Sequence, residues 1–323
     1  MEYSILVPFV PARIESVLPF AALAAATPGL RLWQGQSLAI EGHHMFASLA
    51  THGYRVPTGL GVSLMPMRHP FQAAVETRSL ALATGRSVIA GFGPGARSLQ
   101  KALLGQPYRS PLTASREYLT IVRALLNGLP VDYPGENFRM HGQLAKCPAP
   151  PVQLGLGVLR SGMAQLAGEL ADVAVTWLTP PAYIRDVLRP AMQRGAAQGI
   201  RSQVCRVTAM VPVALAGHER DPVLLAVASS GNHLRGPHYQ AMLRAAGVAV
   251  TGRDVAVDAK ALLAANAFVY GDRDDIAAGL AEYAAAGVDE VCLNLVGTAS
   301  THGSASALAD LTTLLAYFQG ESR

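Results

Sequence analysis

The sequence predicts an α/β protein folded as a single (β/α)8 barrel over residues 1–323, with insertions after strands 4 and 7. Eight short apolar runs alternate with amphipathic, alanine-rich stretches, which is the pattern of parallel strands joined by helical crossovers. The runs are mostly apolar throughout, as expected of strands that are buried on both faces. Eight such units match the size of one barrel, and no GxGxxG sequence follows the first run, which disfavours a doubly wound open sheet.

The elements follow one another in a regular order and end at turn-forming residues. Thr27-Pro-Gly29 stops the first helix, and an irregular stretch from Val131 leads to a proline-rich segment before strand 5. The predicted strands are residues 4–9, 30–33, 56–64, 87–92, 152–156, 173–178, 205–215 and 290–295. The predicted helices are residues 14–26, 41–51, 70–84, a helix-rich segment that reaches residue 127, then 163–170, 181–197, 221–265, 273–286 and 305–318.

The composition argues against several classes of protein. The formal net charge is +4 and the pI is about 9.1, but Lys and Arg are scattered singly, so no nucleic-acid partner is expected. The three cysteines have no CxxC spacing, so neither a disulfide framework nor a metal site is predicted. With no signal peptide and no apolar run of membrane-spanning length, we expect a cytoplasmic protein without membrane association.

The candidate active site lies where the strands end, because barrel enzymes carry out their chemistry at the carboxyl ends of the strands. The polar or large residues at these ends include Gln34, Gln36, Ser63, Met65, Arg68, His69, Trp177, Thr179 and Asn294. His43 and His44 lie on the second helix one turn from this end, where an imidazole is suited to donate a proton. His233 and His238 could face the mouth from the insertion after strand 7, but a metal there would need a third ligand, and no carboxylate stands at a suitable spacing.

Several segments occur in an order that is found in one known family. They are GLGVSLMPMRHP at 59–70, ALATGR at 81–86, IAGFGPG at 89–95, SREY at 115–118, YPGENF at 133–138, LAGELAD at 166–172 and AEYAAAGVDE at 281–290. Together they resemble the bacterial luciferase-like family, which contains FMN-dependent monooxygenases and deazaflavin-dependent oxidoreductases. The resemblance covers most of the chain from about Gly59.

The resemblance implies which residues bind a cofactor. The family holds the cofactor phosphate where strand 5 meets the next helix, and the N–H groups of a helix N-terminus favour an anion. It often places a non-prolyl cis peptide, here Gly61–Val62, behind the cofactor ring, and it has a glycine-rich exit from strand 4. The implied residues are Gly61, Val62, Ser63, Met65, Gly93, Pro94, Gly95, Gly157, Leu159, Arg160, Ser161 and Gly162. Without the resemblance, the same glycines would indicate strand bulges and an ordinary turn.

The substrate side of the site departs from the family pattern. Strand 2 leads into Trp33-Gln-Gly-Gln36 rather than into an acidic or histidine-containing exit. We take Gln36, His43, His44 and Trp177 as the candidate catalytic residues. The alternatives are a core position for Trp177 and a solvated position for at least one of the two histidines.

Two enzymatic functions follow from the resemblance. In the first, the reduced deazaflavin coenzyme F-420 delivers hydride to an unsaturated small molecule or modified peptide, for example a natural-product intermediate that contains dehydroalanine. In the second, reduced FMN activates oxygen as in a monooxygenase. The segments after strands 3 to 6 are more similar to the deazaflavin-dependent subgroup, which favours the first. A cofactor-free barrel that serves as a partner subunit is the non-enzymatic alternative, and a homodimer is the expected assembly.

Overall fold

Parallel strands close into a barrel in the computed structural model, which describes residues 1–199 and 204–321. The strands are β1 (Glu2–Leu6), β2 (Leu32–Gln34), β3 (Thr58–Leu64), β4 (Val88–Gly93), β5 (Val131–Pro134), β6 (Arg139–Gly142), β7 (Val152–Gly157), β8 (Val173–Trp177), β9 (Arg206–Leu215), β10 (Val269–Gly271) and β11 (Glu290–Asn294). The barrel order is β1, β2, β3, β4, β7, β8, β9, β11, and β11 pairs with β1 to close the ring. The predicted (β/α)8 barrel is confirmed. The predicted domain, 1–323, includes residues 200–203 and 322–323, which lie outside the described residues.

Helices cover the outside of the barrel. They are α1 (Leu18–Ala26), α2 (Gly42–Thr51), α3 (Pro70–Thr84), α4 (Arg97–Leu104), α5 (Pro111–Leu126), α6 (Ser161–Leu170), α7 (Pro181–Tyr183), α8 (Arg189–Gln198), α9 (Pro222–Leu234), α10 (Pro237–Ala245), α11 (Val255–Ala264), α12 (Arg273–Ala285), α13 (Val296–His302) and α14 (Ser304–Glu321). Many of them begin with proline, whose missing N–H has no partner in the first turn of a helix. A capping box formed by Asp272 and Asp275 starts α12.

The stretch from Val131, which was predicted to be irregular, contains the antiparallel hairpin β5–β6. Glu117 on α5 fixes its turn by accepting the backbone N–H groups of Glu136 and Asn137, each at 2.8 Å. A Cβ at Gly135 would lie 2.8 Å from the Glu117 carboxyl carbon, so the turn needs glycine there. Two strands of four residues are too short to show a clear alternation in the sequence.

The long helical region predicted over 221–265 is helical, but it is not one continuous helix. The segment forms α9, α10 and α11, because Gly236-Pro237 ends one helix and starts the next and Gly247 adopts φ +79°. A short strand that the sequence did not reveal, β10, then pairs with the end of β9. Other predicted boundaries also shift. The first strand is Glu2–Leu6 rather than 4–9, since Pro8 has no N–H to continue a ladder, and α13 was not foreseen.

Trp33 fills the inside of the barrel. Its side chain is fully buried, and its Nε1 donates to the buried Glu290 Oε1 at 2.8 Å. A Cβ at Gly59 would overlap the Trp33 ring, so glycine on β3 makes room for it. The surrounding cluster consists of Leu6, Ile89, Val173, Val175, Met210 and Cys292. The interior is therefore a packed core and not a pore.

Helices α6 and α8 pack with their backbones in close approach. A Cβ at Gly168 on α6 would overlap the carbonyl of Met192 on α8, and a Cβ at Gly195 on α8 would overlap the carbonyl of Gln165. Asp172, just after α6, accepts the backbone N–H of Leu154 at 2.7 Å. These contacts fix the position of α6 against both its neighbour and the sheet.

Candidate active site

The Val62 side chain packs against glycines of β4 and β7. The Gly61–Val62 peptide bond is cis, as the resemblance implied, and the pairing of β3 with β4 shifts register between Leu60 and Ser63. A Cβ at Gly93 would lie 2.9 Å from Val62 Cγ2, and a Cβ at Gly157 would lie 3.5 Å from both Val62 methyl groups. The glycines therefore leave space for Val62, whose side chain would separate them from a ligand at this point.

The amino end of α6 is open. Arg160, the residue before the helix, has extended φ and ψ of −140° and 162°, and no side chain among the described residues caps the first turn. Arg160, Ser161 and Gly162 are exposed. Unpaired N–H groups beside an arginine form a binding site for an anion such as phosphate. This geometry fits the cofactor-phosphate site that the sequence predicted between Gly157 and Gly162.

A partly buried network of charged side chains joins the exits of β2 and β3. Arg68 is 8% exposed; it donates to Glu41 Oε2 and to Glu76 Oε2, each at 2.9 Å. Gln36 donates to Glu41 Oε2 at 3.3 Å, and its Oε1 accepts the backbone N–H of Leu64 at 3.4 Å. Paired in this way with two partly exposed carboxylates, the buried arginine can remain ionised.

His43 belongs to the same network and keeps one nitrogen free. Its Nδ1 lies 3.0 Å from Glu41 Oε1, while its buried Nε2 has no partner in the described part of the chain. The hydrogen bond from His43, together with Arg68, lowers the pKa of Glu41 well below its ordinary value. An ionised carboxylate at Nδ1 orients the imidazole and leaves Nε2 as the atom that can exchange a proton with a ligand.

A row of aromatic rings lies on the opposite side of the mouth. Trp177 at the end of β8 contacts His233 on α9, with ring centroids 5.2 Å apart, and His233 meets Tyr239 at 4.9 Å in an edge-to-face arrangement. Burial and then the neighbouring His238 lower the pKa of His233 to about 4. The pKa of His238 is also lowered, by burial and by the positive charge of Arg160. The row thus leads from the barrel mouth toward the proposed phosphate site.

Several buried polar atoms at the mouth have no partner among the described residues. They include His43 Nε2, Trp177 Nε1, Ser229 Oγ, Ser230 Oγ, His233 Nδ1 and Asn294 Nδ2, within residues 1–199 and 204–321. Buried polar groups in folded proteins are nearly always paired, and an unpaired one costs about 1–3 kcal/mol. A polar ring system with carbonyl and N–H edges, together with a polar substrate beside it, would satisfy such atoms, so the residues present fit a flavin or deazaflavin.

The structure brings some predicted residues together and separates others. Gln36 and His43 share one network, and Trp177 lies across the mouth from them. His44 is exposed and makes none of the described hydrogen bonds, so it does not join them. Gln34 faces outward to α2, since its Cγ lies 3.9 Å from the Cβ position of Gly42.

Some of the predicted cofactor-binding residues are held by packing, and others lie in a hydrogen-bonded loop after β4. The Met65 side chain is buried and accepts from the Ser115 hydroxyl at 3.7 Å, so it packs away from the mouth, and Ser63 is also buried. Leu159 packs against the outer core. The carbonyl oxygens of Pro94 and Gly95 accept from Gln100 Nε2 at 3.0 and 2.9 Å, which fixes the exit of β4.

Three residues that sequence reasoning did not place in the site are Glu41, Arg68 as a member of a charge network, and His233 beside Trp177. Arg68 and Glu41 are 27 residues apart, and no spacing rule in the sequence links them. One signal in the sequence was available for Glu41. It is an acidic residue two positions before a histidine, at the start of a helix that follows a barrel strand. His233 was expected, with His238, to face the mouth, but its contact with Trp177 was not foreseen. Within the described residues, no cluster of three or more His, Cys, Asp or Glu side chains could hold a metal ion.

The described helices include none that is both long and apolar enough to span a membrane. The fold and the site define a barrel protein with an uncapped helix start at α6, unpaired polar atoms at its mouth and a closed interior. Residues 35–290 match the sequence model of the luciferase-like monooxygenases. The chain belongs to this family, and the resemblance drawn from its sequence motifs is confirmed.

Both reductases and monooxygenases occur among the proteins that this chain resembles. A 5,10-methylenetetrahydromethanopterin reductase from Methanolobus tindarius is 29% identical over 124 residues, which is 38% of this chain and 38% of that protein. The matched segment is thus well under two thirds of the relative.

Solved structures share the architecture at low identity. The coenzyme F-420-dependent tetrahydromethanopterin reductase of Methanopyrus kandleri superposes with a TM-score of 0.71 at 19% identity, over 90% of this chain and 92% of that chain. The EDTA monooxygenase of Chelativorans sp. BNC1 superposes with a TM-score of 0.74 at 12% identity, over 99% of this chain and 94% of that chain. At these identities the likeness establishes the fold.

Proposed function

We propose that this protein is an oxidoreductase that binds reduced coenzyme F-420 at the barrel mouth and transfers hydride to an unsaturated small molecule or modified peptide. The observation that carries the proposal is the open amino end of α6 beside Arg160, next to a mouth lined by unpaired buried polar atoms. The choice of deazaflavin over FMN is supported by the sequence motifs and by the coenzyme F-420-dependent reductase of Methanopyrus kandleri among the similar structures. The homodimer remains a prediction.

Different residues would bind the cofactor and donate the proton. The first turn of α6 and Arg160 would bind the phosphate of the cofactor, and Val62 would lie against its ring. The cofactor supplies the hydride when it is bound. A substrate that accepts hydride also needs a proton, and His43 Nε2 is the candidate donor because Glu41 holds the opposite nitrogen.

A titration of the purified protein with coenzyme F-420 and, separately, with FMN tests the proposal. We expect tighter binding of the deazaflavin, followed by its absorbance and fluorescence, and no oxygen consumption with reduced FMN. Tighter binding of FMN together with oxygen consumption would identify a monooxygenase instead. Binding of neither cofactor would favour the partner subunit without a cofactor.

A further inference from the structure

Two aromatic side chains on the β8 side of the mouth each carry a buried polar atom that no described residue satisfies. Trp177 ends β8, His233 lies in the last turn of α9, and their rings are tilted by 32° with centroids 5.2 Å apart. The two atoms are Trp177 Nε1 and His233 Nδ1. Two unpaired polar atoms on adjacent rings indicate a binding site for one ligand group, because each costs free energy until it is paired.

The face of α9 that carries His233 is polar although it is buried. Ser229 and Ser230 precede His233 by four and three residues, which places them on the same side of the helix. Both hydroxyl oxygens are buried and have no partner among the described residues. A helix face that only completed a core would be apolar, so this face is suited to a polar ligand.

The chemistry of the two rings defines the ligand. An indole N–H can only donate, so the ligand has to present an acceptor. The His233 imidazole is neutral at neutral pH because burial lowers its pKa to about 4, and a neutral imidazole offers one N–H donor. Tyr239 packs edge-on against the imidazole at 4.9 Å and keeps it in place. An oxygen with two lone pairs, such as a carbonyl oxygen, can accept from both rings.

We propose that Trp177 Nε1 and His233 Nδ1 together bind the carbonyl oxygen of the substrate, so the reduced double bond is conjugated to a carbonyl or amide group. This inference rests on the proposed function. Hydride from the reduced deazaflavin forms a C–H bond at the β-carbon, the π electrons move toward the carbonyl oxygen, and a proton then adds at the α-carbon. The deazaflavin is oxidised by two electrons, and the double bond is reduced. Two aligned donors would stabilise the negative charge that develops on the oxygen.

The two tryptophans of the chain make a direct test possible by NMR. Protein labelled with 15N in its indole groups gives one signal for Trp33 and one for Trp177, which Trp177→Phe assigns. Trp33 Nε1 is already bonded to Glu290 and serves as the internal reference. The probe is N-acetyl-dehydroalanine N-methylamide, added to protein that is saturated with oxidised coenzyme F-420 so that no turnover occurs.

We expect the Trp177 indole proton to move downfield while that of Trp33 stays in place. An unmoved Trp177 signal at millimolar probe, or equal movement of both signals, would overturn the inference. Cofactor binding is followed separately by absorbance. If coenzyme F-420 does not bind but Trp177 responds to the probe, the proposed function fails and the carbonyl site stands. If the coenzyme binds and Trp177 does not respond, only this inference fails.

Two variants of His233 distinguish the loss of its N–H donor from the loss of its ring packing. His233→Phe keeps a ring but removes the N–H, whereas His233→Asn keeps an amide N–H near the position of Nδ1. We expect kcat/KM for reduction of the probe to fall 10- to 100-fold in the phenylalanine variant and less in the asparagine variant, with unchanged affinity for coenzyme F-420. Equal losses in both variants, or no loss in either, would contradict a donor role for His233.

Discussion

Adjacent histidines on α2 have opposite environments. His43 is 5% exposed and lies within hydrogen-bonding distance of Glu41, whereas His44 is exposed. Consecutive residues of a helix point about 100° apart, so one faces the charged network and the other faces solvent. The sequence identified the pair as candidate proton donors but could not choose between them, because the choice depends on Glu41 and Arg68, which only folding brings together.

The pair provides a variant and its matched control. His43→Gln removes a titratable group and should lower kcat about 100-fold or more, because general acid catalysis typically contributes at least that factor. His44→Gln should leave kcat unchanged. Affinity for the cofactor should change in neither variant. Wild-type kcat in the His43 variant, or an equal loss in both variants, would contradict a donor role specific to His43, and a melting-temperature measurement confirms that both variants are folded.

At the scale of elements, one sequence motif of the family corresponds to contacts of α6 with neighbouring helices and with a strand. In the segment 166–172, Gly168 packs against the backbone of α8, Glu169 pairs with Arg116 on α5, and Asp172 accepts from the backbone of β7. The apolar runs predicted the barrel strands because parallel strands buried on both faces contain few polar residues. The hairpin β5–β6 and the three-residue β10 were missed because strands this short carry no readable period.

The contact between α6 and α8 should be sensitive to a single methyl group. Gly195→Ala would push a Cβ into the carbonyl of Gln165, so we expect the free energy of unfolding to fall by about 2 kcal/mol in denaturant titrations. Gly320→Ala on α14 is the control, since no described atom lies within 4 Å of its added Cβ; alanine there should be neutral or stabilise by up to about 1 kcal/mol. Equal stability of the two variants would mean that α6 and α8 adjust freely.

The amino end of α6 makes a separate prediction. Arg160→Ala should weaken binding of coenzyme F-420 about 10- to 100-fold without changing the melting temperature, because a hydrogen bond to a charged group contributes about 1.5–3 kcal/mol. Arg86→Ala is the matched control, an exposed arginine that precedes β4 at the opposite end of the barrel. Unchanged affinity in the Arg160 variant, measured by fluorescence titration, would place the phosphate elsewhere.

For the whole molecule, the buried His233 links stability to pH. Its pKa is about 4 in the folded protein against an ordinary value of 6.5, so between these values the unfolded chain binds a proton that the folded protein does not. The free energy of unfolding should therefore decrease as the pH falls from 6.5 to 4, by no more than about 3 kcal/mol from this group. Above pH 6.5 the imidazole is neutral in both states and contributes no pH dependence.

A comparison of variants isolates this contribution. The difference in unfolding free energy between pH 7 and pH 4.5 should be smaller in His233→Phe than in the wild type, by about 2 kcal/mol. His44→Gln should keep the wild-type difference, because its imidazole is exposed. The same pH dependence in all three proteins would show that His233 is not buried as a neutral group.

Because Trp33 fills its interior, the barrel is open only at the mouth. The indole and its neighbours fill the interior below the mouth, so no path leads through the barrel to its amino end. A hydride donor and its acceptor would both have to enter and leave at the same side, and the molecule that lies deeper has to arrive first and depart last. Turnover by such an enzyme follows a compulsory order. Product inhibition patterns reveal whether the hydride donor or the acceptor occupies the deeper position.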